Sequence, residues 1–350
     1  MHKLAAVSFL LLSAPVIAAV PAPHYQLAHQ YVLGGDGGWD YLTFDPAGKR
    51  LFIARATRVQ VMDAASGKLL GEIPGTDGVH GVALAPELNK GFTTDGKDST
   101  VTVFDLKTLK VIERVNIPGK RPDAIAYDPV NRRVFTFDGG SNDSTALDAK
   151  TDLVLGTIPL PGRPEAAVAD GQGHVFVNIE STSQLSDLDA KALKVAKTWS
   201  LAPACDSPSA IAMDTAHRRL FSGCDNKLMA VSDADAGKVV ASAPIGDGVD
   251  AGDFDPNTGL VFMSCGEGVL SVIHEDSPDR YTKLEDAPTR KYARTSALDP
   301  ATGAVYLVTA DLKITPAPAG ATGMARWGKR QVLPNSFAVL VMQRHISPQR

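Results

Sequence analysis

The segment PDAIAYDPVNRRVFTF, residues 122–137, decides the fold because related segments recur along the whole chain. It holds a short apolar stretch, an Asp-Pro turn and a second apolar stretch, which is the pattern of two β-strands joined by a tight turn. The related segments follow one another in steps of 41 to 44 residues. Their first residues are Trp39, His80, Pro122, Pro164, Pro208, Val249 and Ala293. A fixed period near 42 residues indicates a repeat architecture.

Each repeat contains two further strand patterns after the Asp-Pro hairpin. In the repeat that starts at His80, a third strand VTVFD (101–105) leads through a turn to a fourth strand LKVIERV (109–115). Four short strands in about 40 residues are typical of one propeller blade. No segment shows a sustained helical period. The sequence therefore predicts an all-β protein, a seven-bladed β-propeller with four-stranded antiparallel blades.

The seventh repeat lacks a fourth strand, because the chain ends soon after FAVLVMQRH (337–345). The segment YQLAHQYVL (25–33) precedes the first repeat and has the pattern of a fourth strand. We expect it to pair with the last blade and close the ring, which removes an exposed sheet edge. The last blade also carries an insertion at 311–335, rich in Pro and Gly, which is either a lid or a plain surface loop.

The first 19 residues have the organisation of a secretory signal peptide. Lys3 precedes an apolar run at 4–12, and a small-residue region follows with a cleavage site after Ala18 or Ala19. The run is short for a transmembrane anchor, which is the alternative. The prediction is a signal peptide at 1–19 and a single mature propeller domain at 20–350, with no membrane span, located in the periplasm or secreted.

Composition excludes several other classes of protein. Charged residues make up 21% of the chain, hydrophobic residues 44%, and the formal net charge is -4. These values exclude a disordered tail protein, a collagen-like fibre and a strongly basic nucleic-acid scaffold. Closed propellers are often monomers, and a monomer is the expectation here.

Three cysteines in an oxidising compartment predict one disulfide and one remaining thiol. Cys205 lies in the loop that enters blade five, and Cys224 lies in the second-to-third-strand loop of the same blade. Both loops belong to one face of a propeller, so we predict a Cys205–Cys224 disulfide. Three alternatives remain for Cys265: a buried inert thiol, a soft metal ligand, or the true partner of Cys224.

Several motifs together resemble the YncE-like family, the YVTN-repeat propellers of secreted bacterial proteins. They include DGKDSTVTVFDLKTLKVI (95–112), RPDAIAYDPVNRRVF (121–135), IGDGVDAGDFDP (245–256) and ARTSALDP (293–300). The resemblance covers nearly the whole mature chain. The resemblance implies one of three roles, which are a partner of an outer-membrane receptor, a ligand-binding protein or, as in one branch of the family, a single-strand DNA binder. Related seven-bladed folds include metal-dependent lactonases and lyases, so the fold alone leaves the function open.

The repeat alignment predicts which residues face one another across the central channel. The first positions of the innermost strands are Asp40, Gly81, Asp123, Glu165, Ser209, Asp250 and Arg294. Four converging carboxylates must bind a cation, meet arginines or take up protons. One reading makes Asp40, Asp123, Glu165 and Asp250 the ligands of one divalent cation. The other is a structural charge network neutralised by Arg121, Arg163 and Arg294.

Further polar and aromatic residues fall on the same face and complete a predicted ligand-binding set. His80 is the histidine that the alignment places at this face, and it is the candidate acid or base. The sequence has no GxSxG, GxGxxG or P-loop signature. The predicted ligand-binding residues are Trp39, His80, Arg121, Arg163, Asn178, Glu180, Tyr292, Arg294 and Trp327.

Three functions follow from these patterns. The favoured one is a non-catalytic periplasmic binding or scaffold propeller that offers its carboxylate-ringed channel to a small ligand, a metal ion or an outer-membrane receptor. The second is a metal-dependent lactonase or lyase in which Glu165 and Asp250, with Asp40 or Asp123, hold the cation and His80 moves protons. The third is single-strand DNA binding at Trp327, and the acidic ring argues against it because phosphates need positive potential.

Overall fold

The computed structural model describes residues 24–320 and 329–345, and it is built almost entirely of β-strands. The first strand, β1 (His24–Val32), belongs to the last blade. The next twelve strands form blades one to three, each running outward from the channel in chain order. Blade one has β2 (Leu42–Asp45), β3 (Arg50–Arg55), β4 (Arg58–Asp63) and β5 (Leu69–Pro74); blade two has β6 (Val79–Ala85), β7 (Lys90–Asp95), β8 (Thr100–Asp105) and β9 (Val111–Asn116); blade three has β10 (Pro122–Asp128), β11 (Arg133–Asp138), β12 (Asp143–Asp148) and β13 (Val154–Pro159).

The remaining blades repeat this order. Short 3-10 helices occur at Pro86–Leu88 and Glu180–Thr182. Blade four has β14 (Pro164–Ala169), β15 (His174–Ile179), β16 (Gln184–Asp189) and β17 (Lys194–Ser200); blade five has β18 (Pro208–Asp214), β19 (Arg219–Cys224), β20 (Leu228–Asp233) and β21 (Lys238–Pro244); blade six has β22 (Val249–Asp255), β23 (Leu260–Cys265), β24 (Val269–Ser277) and β25 (Arg280–Pro288). Blade seven has β26 (Ser296–Asp299), β27 (Ala304–Thr309), β30 (Ala338–His345) and β1, with the extra hairpin β28 (Leu312–Thr315) and β29 (Lys329–Val332).

The N-terminal strand closes the ring as the sequence predicted. β1 runs antiparallel to β30, with His24 opposite His345 at one end and Val32 opposite Ala338 at the other. The innermost strands of neighbouring blades contact one another around the ring, including β26 of the last blade and β2 of the first. The predicted seven-bladed, four-stranded propeller is therefore confirmed.

The Asp-Pro turns form because the aspartate side chain replaces missing backbone partners. Asp128 accepts hydrogen bonds from the backbone N–H of Val130 at 3.2 Å and of Asn131 at 3.0 Å. Pro129, between Asp128 and Val130, has no N–H to satisfy and is compatible with the turn. Aspartates at the same position of other blades accept backbone N–H groups in the same way: Asp45, Asp170, Asp214, Asp255 and Asp299.

The core consists of apolar clusters between adjacent blades. The described residues form seven such clusters, one for each pair of neighbours, including the pair of blades seven and one. The second strand of six blades has a fully buried phenylalanine at its third position, and burial of such a side chain contributes on the order of 1.5–3 kcal/mol. These residues are Phe52, Phe92, Phe135, Phe176, Phe221 and Phe262.

The segment between β27 and β30 carries the β28–β29 hairpin, and its role as a lid remains a prediction. The predicted signal peptide at 1–19 and the predicted ligand residue Trp327 lie outside the described residues. Within the described ranges, no helix has the length and apolar character that crossing a membrane requires.

Candidate functional site

Two kinds of loop meet on one face of the propeller. In blades two to six, the loop after the second strand donates a backbone hydrogen bond to the loop that enters the same blade. The donor and acceptor pairs are Gly96 to Gly78, Gly139 to Arg121, Glu180 to Arg163, Asp225 to Asp206, and Gly266 to Gly248, at 2.8 to 3.1 Å. We call this face, built from residues 34–41 and the corresponding loops of the other blades, the channel mouth.

A histidine and two carboxylates from three consecutive blades form the centre of the channel mouth. Nδ1 of His80 lies 2.6 Å from a carboxylate oxygen of Asp40 and 3.6 Å from one of Asp123. Each of the three residues offers one atom that could bind a metal ion, and these three atoms lie within 4.8 Å of one another. Burial lowers the pKa of His80, but the hydrogen bond to Asp40 and the charge of Asp123 outweigh it and raise that pKa to about 8.

Two further carboxylates, Glu165 and Asp250, lie outside this group but act on it electrostatically. Burial raises the pKa of Asp123 to about 6. The pKa of Glu165 is raised well above its ordinary value by burial and by the charges of Asp123 and Asp250. Burial raises the pKa of Asp250 to about 7, although Arg294 at 3.0 Å lowers it in part. These carboxyl groups therefore resist ionisation in the channel mouth, and a proton or a cation relieves the repulsion between them.

The arginines predicted to neutralise the ring do so incompletely. Arg294 pairs with Asp250, but Arg163 pairs with Glu180 at 2.5 Å instead of with Glu165. Among the described residues, no salt bridge is formed by Arg121 and none by Glu165, whose carboxylate also has no hydrogen-bond donor. Arg294 and Arg163 thus pair with Asp250 and Glu180, while His80 contacts Asp40 and Asp123. Among the described residues, Glu165 is the ring carboxylate that forms no salt bridge.

A cavity of about 300 Å³ continues from the mouth into the channel. Tyr41 lines it and reaches across the ring to pack against the apolar cluster of blades three and four. Asp253 also lines it and accepts hydrogen bonds from the Ser296 hydroxyl at 2.7 Å and the Leu298 N–H at 3.2 Å. Sequence reasoning missed Tyr41, although the repeat alignment gives a signal. Its column otherwise holds Val82, Ala124, Ala166, Ala210, Ala251 and Thr295.

Several predicted ligand residues have other roles in the structure. Asn178 is fully buried; its amide donates to the carbonyl of Ala210 and accepts from the Ser222 hydroxyl, both at 2.8 Å. It links blade four to blade five and does not reach the mouth. The ring of Trp39 packs 5.8 Å from Phe337 in the apolar cluster of blades seven and one.

The hairpin of the last blade contacts the mouth through Arg330 and through Asp311 at its base. The guanidinium of Arg330 lies 5.2 Å from the ring centre of Tyr292, a residue predicted to bind ligand. Arg290 pairs with Asp311 at 2.5 Å, at the base of the hairpin. These contacts place the hairpin beside the channel entrance.

Arg55, which the sequence did not single out, holds the loop that carries Trp39 and Asp40. Its side chain is fully buried and lies over the ring of Phe337 at 3.6 Å. It donates hydrogen bonds to the side-chain oxygen of Gln60 at 2.9 Å and to three loop carbonyls at 3.1 to 3.3 Å. The carbonyls belong to Gly34, Asp36 and Gly38. Burial lowers the pKa of Arg55 to about 10, so the guanidinium remains charged at neutral pH.

The predicted Cys205–Cys224 disulfide is confirmed, with the two Cα atoms 5.4 Å apart. It joins the loop that enters blade five to the end of β19. Cys265 is buried and free, so it is not the partner of Cys224. Burial raises the pKa of its thiol to about 12, which disfavours the thiolate needed for metal binding or catalysis. The buried inert thiol is the alternative that this environment supports.

Comparisons with solved structures identify the same architecture elsewhere. "Crystal structure of RRP9 WD40 repeats" matches with a TM-score of 0.73 and 11% identity, over 92% of this chain and 99% of that one. "Structure of U3-55K" gives 0.72 and 11%, over 91% and 99%. "Crystal Structure of Mitotic Checkpoint Complex" gives 0.71 and 15%, over 95% and 99%. No family model and no curated protein matches the chain. The chain is a seven-bladed β-propeller, and identities this low establish the fold alone.

Proposed function

We propose that this protein is a binding propeller of the periplasm that holds a divalent cation at the channel mouth on Asp40, His80 and Asp123. The observation that carries the proposal is that one imidazole and two carboxylates, from three consecutive blades, place their possible ligand atoms within 4.8 Å of one another. Imidazole with carboxylates suits Zn²⁺ or Mn²⁺ better than Ca²⁺, which prefers oxygen ligands alone. The bound ion would present an open position to a small ligand or to a partner protein.

The charge of the surroundings supports a cation over an anionic ligand. Among the described residues, Glu165 forms no salt bridge, and Asp250 forms one, with Arg294. Carboxylates brought together in a partly buried channel repel one another, and a bound cation relieves that repulsion. Because Nδ1 of His80 must be unprotonated to bind metal, we expect cation binding to release a proton.

The proposed location rests on the sequence and on the disulfide. Residues 1–19 have the organisation of a signal peptide, and the YncE-like motifs are those of secreted bacterial proteins. Structural disulfides such as Cys205–Cys224 persist in oxidising compartments and are rare in the cytosol. An outer-membrane receptor is one partner that the resemblance suggests.

Calorimetric titration of the chelator-stripped protein with Mn²⁺ and Zn²⁺ tests the proposal. We expect one binding event that Asp123→Asn and His80→Gln both abolish. Asp247→Asn is the matched control, because Asp247 is an exposed carboxylate of the same face that pairs with Lys227 at 3.3 Å. Loss of binding in the control, or equal binding in all variants, would contradict a site at this position. The enzyme alternative would be favoured if the metal-loaded protein hydrolysed lactones and His80→Gln abolished this activity.

A further inference from the structure

A second group of possible metal ligands lies on the face opposite the channel mouth. β18 ends there at Asp214, and His217 follows in the turn to β19. β24 and β25 of the next blade are nine residues each, whereas β20 has six residues and β21 seven. The longer hairpin brings Glu275 against the turn of blade five.

The three side chains are close, and both carboxylates are almost completely buried. Nδ1 of His217 lies 2.5 Å from a carboxylate oxygen of Asp214 and 3.9 Å from one of Glu275. The side chains of Asp214 and Glu275 are 3% and 5% exposed, whereas that of His217 is 56% exposed. The group therefore has two buried carboxylates and one imidazole that faces solvent.

The hydrogen-bond donor nearest to Glu275 among the described residues is a tyrosine hydroxyl that a backbone carbonyl shares. The Tyr281 hydroxyl lies 3.3 Å from its carboxylate but only 2.8 Å from the carbonyl of Pro278, and it has one proton to donate. The nearby guanidinium of Arg219 pairs with Asp233 and Asp279 at 3.1 and 2.9 Å, away from Glu275. A carboxylate that is 95% buried beside a second one is costly to keep ionised without a cation.

We infer that Asp214, His217 and Glu275 form a zinc site that fastens the long hairpin of blade six to blade five. Zn²⁺ accepts histidine nitrogen and carboxylate oxygen in tetrahedral geometry, and three protein ligands leave the fourth position for water. The exposed imidazole gives the ion access from solvent. This inference is independent of the channel mouth, because the two groups share no residue.

Zinc titration of the stripped full-length protein, followed by calorimetry and by thermal unfolding, tests the site. We expect Glu275→Gln to lose one equivalent of bound Zn²⁺ together with the rise in Tm that this equivalent produces. Asp123→Asn, which removes a ligand at the channel mouth, is expected to retain that equivalent. His274→Gln is the matched control, since His274 lies on the same hairpin and pairs with Asp276 at 2.8 Å outside the group.

Two results would overturn the site. One is a Glu275→Gln variant that binds as many equivalents of Zn²⁺ as the parent protein, which would show that the three residues only contact one another and hold no ion. Loss of the equivalent in His274→Gln would place the ion elsewhere on the hairpin. Should Glu275→Gln fail to fold, His217→Gln replaces it, because a side chain more than half exposed is removed at small cost to folding.

Discussion

Removal of the disulfide gives a change in stability that can be worked from the chain itself. Cys205 and Cys224 are separated by 19 residues in sequence. Closing a loop of this length restricts the unfolded chain, and the chain-entropy relation gives about 3 kcal/mol at 25 °C. We therefore expect Cys205→Ala/Cys224→Ala to lose about 3 kcal/mol from the crosslink, beyond the packing of two buried sulfur atoms.

Equilibrium unfolding in urea, with and without reductant, separates the crosslink from the packing. Reduction leaves both sulfur atoms in place, so the parent protein should lose about 3 kcal/mol in reductant while the double variant stays unchanged. Cys265→Ala, at a buried free thiol, measures the packing loss of one sulfur without any crosslink. A parent protein that unfolds at the same urea concentration in both conditions would refute the reasoning.

Other predictions follow from buried polar groups. Burial raises the pKa of Asp138 from an ordinary value near 4 to about 7, so the folded state holds an extra proton between these values. The contribution of Asp138 to the free energy of unfolding should therefore fall as pH rises from 4 to 7, by on the order of 4 kcal/mol, and Asp138→Asn should make this part of a urea-unfolding pH series less steep. Asn178→Ala should cost about 2–3 kcal/mol in urea unfolding, because it leaves the Ala210 carbonyl and the Ser222 hydroxyl without their partner; a change below about 0.5 kcal/mol would contradict the link between blades four and five. Arg55→Met should weaken Mn²⁺ binding in calorimetry by loosening the loop that carries Asp40, and unchanged affinity would contradict its positioning role.

The repeat period and its turn residues were sufficient to predict the fold. Aspartates such as Asp128 recur because they satisfy the turn backbone, and this local requirement is visible in the sequence. The closing strand at 24–32 was also predictable, because the last repeat lacked a partner strand. The pairing of Cys205 with Cys224 followed from two loops of one blade sharing a face.

The details of the site were less accessible, because a repeat alignment gives a position along a strand and not the direction of a side chain. Asn178 was predicted at the mouth but points into the contact with blade five. Tyr41 crosses the channel to the opposite blades, a contact between residues that are distant in sequence. Glu275 contacts His217 only because the outer hairpin of blade six is long. A contact between side chains of two neighbouring blades produces no pattern in the local sequence of either one.

The most direct test of the central claim is an anomalous diffraction map at the zinc or manganese edge, from crystals grown with that ion. We predict a peak at the channel mouth within bonding distance of Asp40, His80 and Asp123, with Nδ1 of His80 bound to the ion in place of its 2.6 Å contact with Asp40. A map without a peak at this position, in which His80 still contacts Asp40, would contradict the account and make the carboxylate ring a structural feature of the propeller.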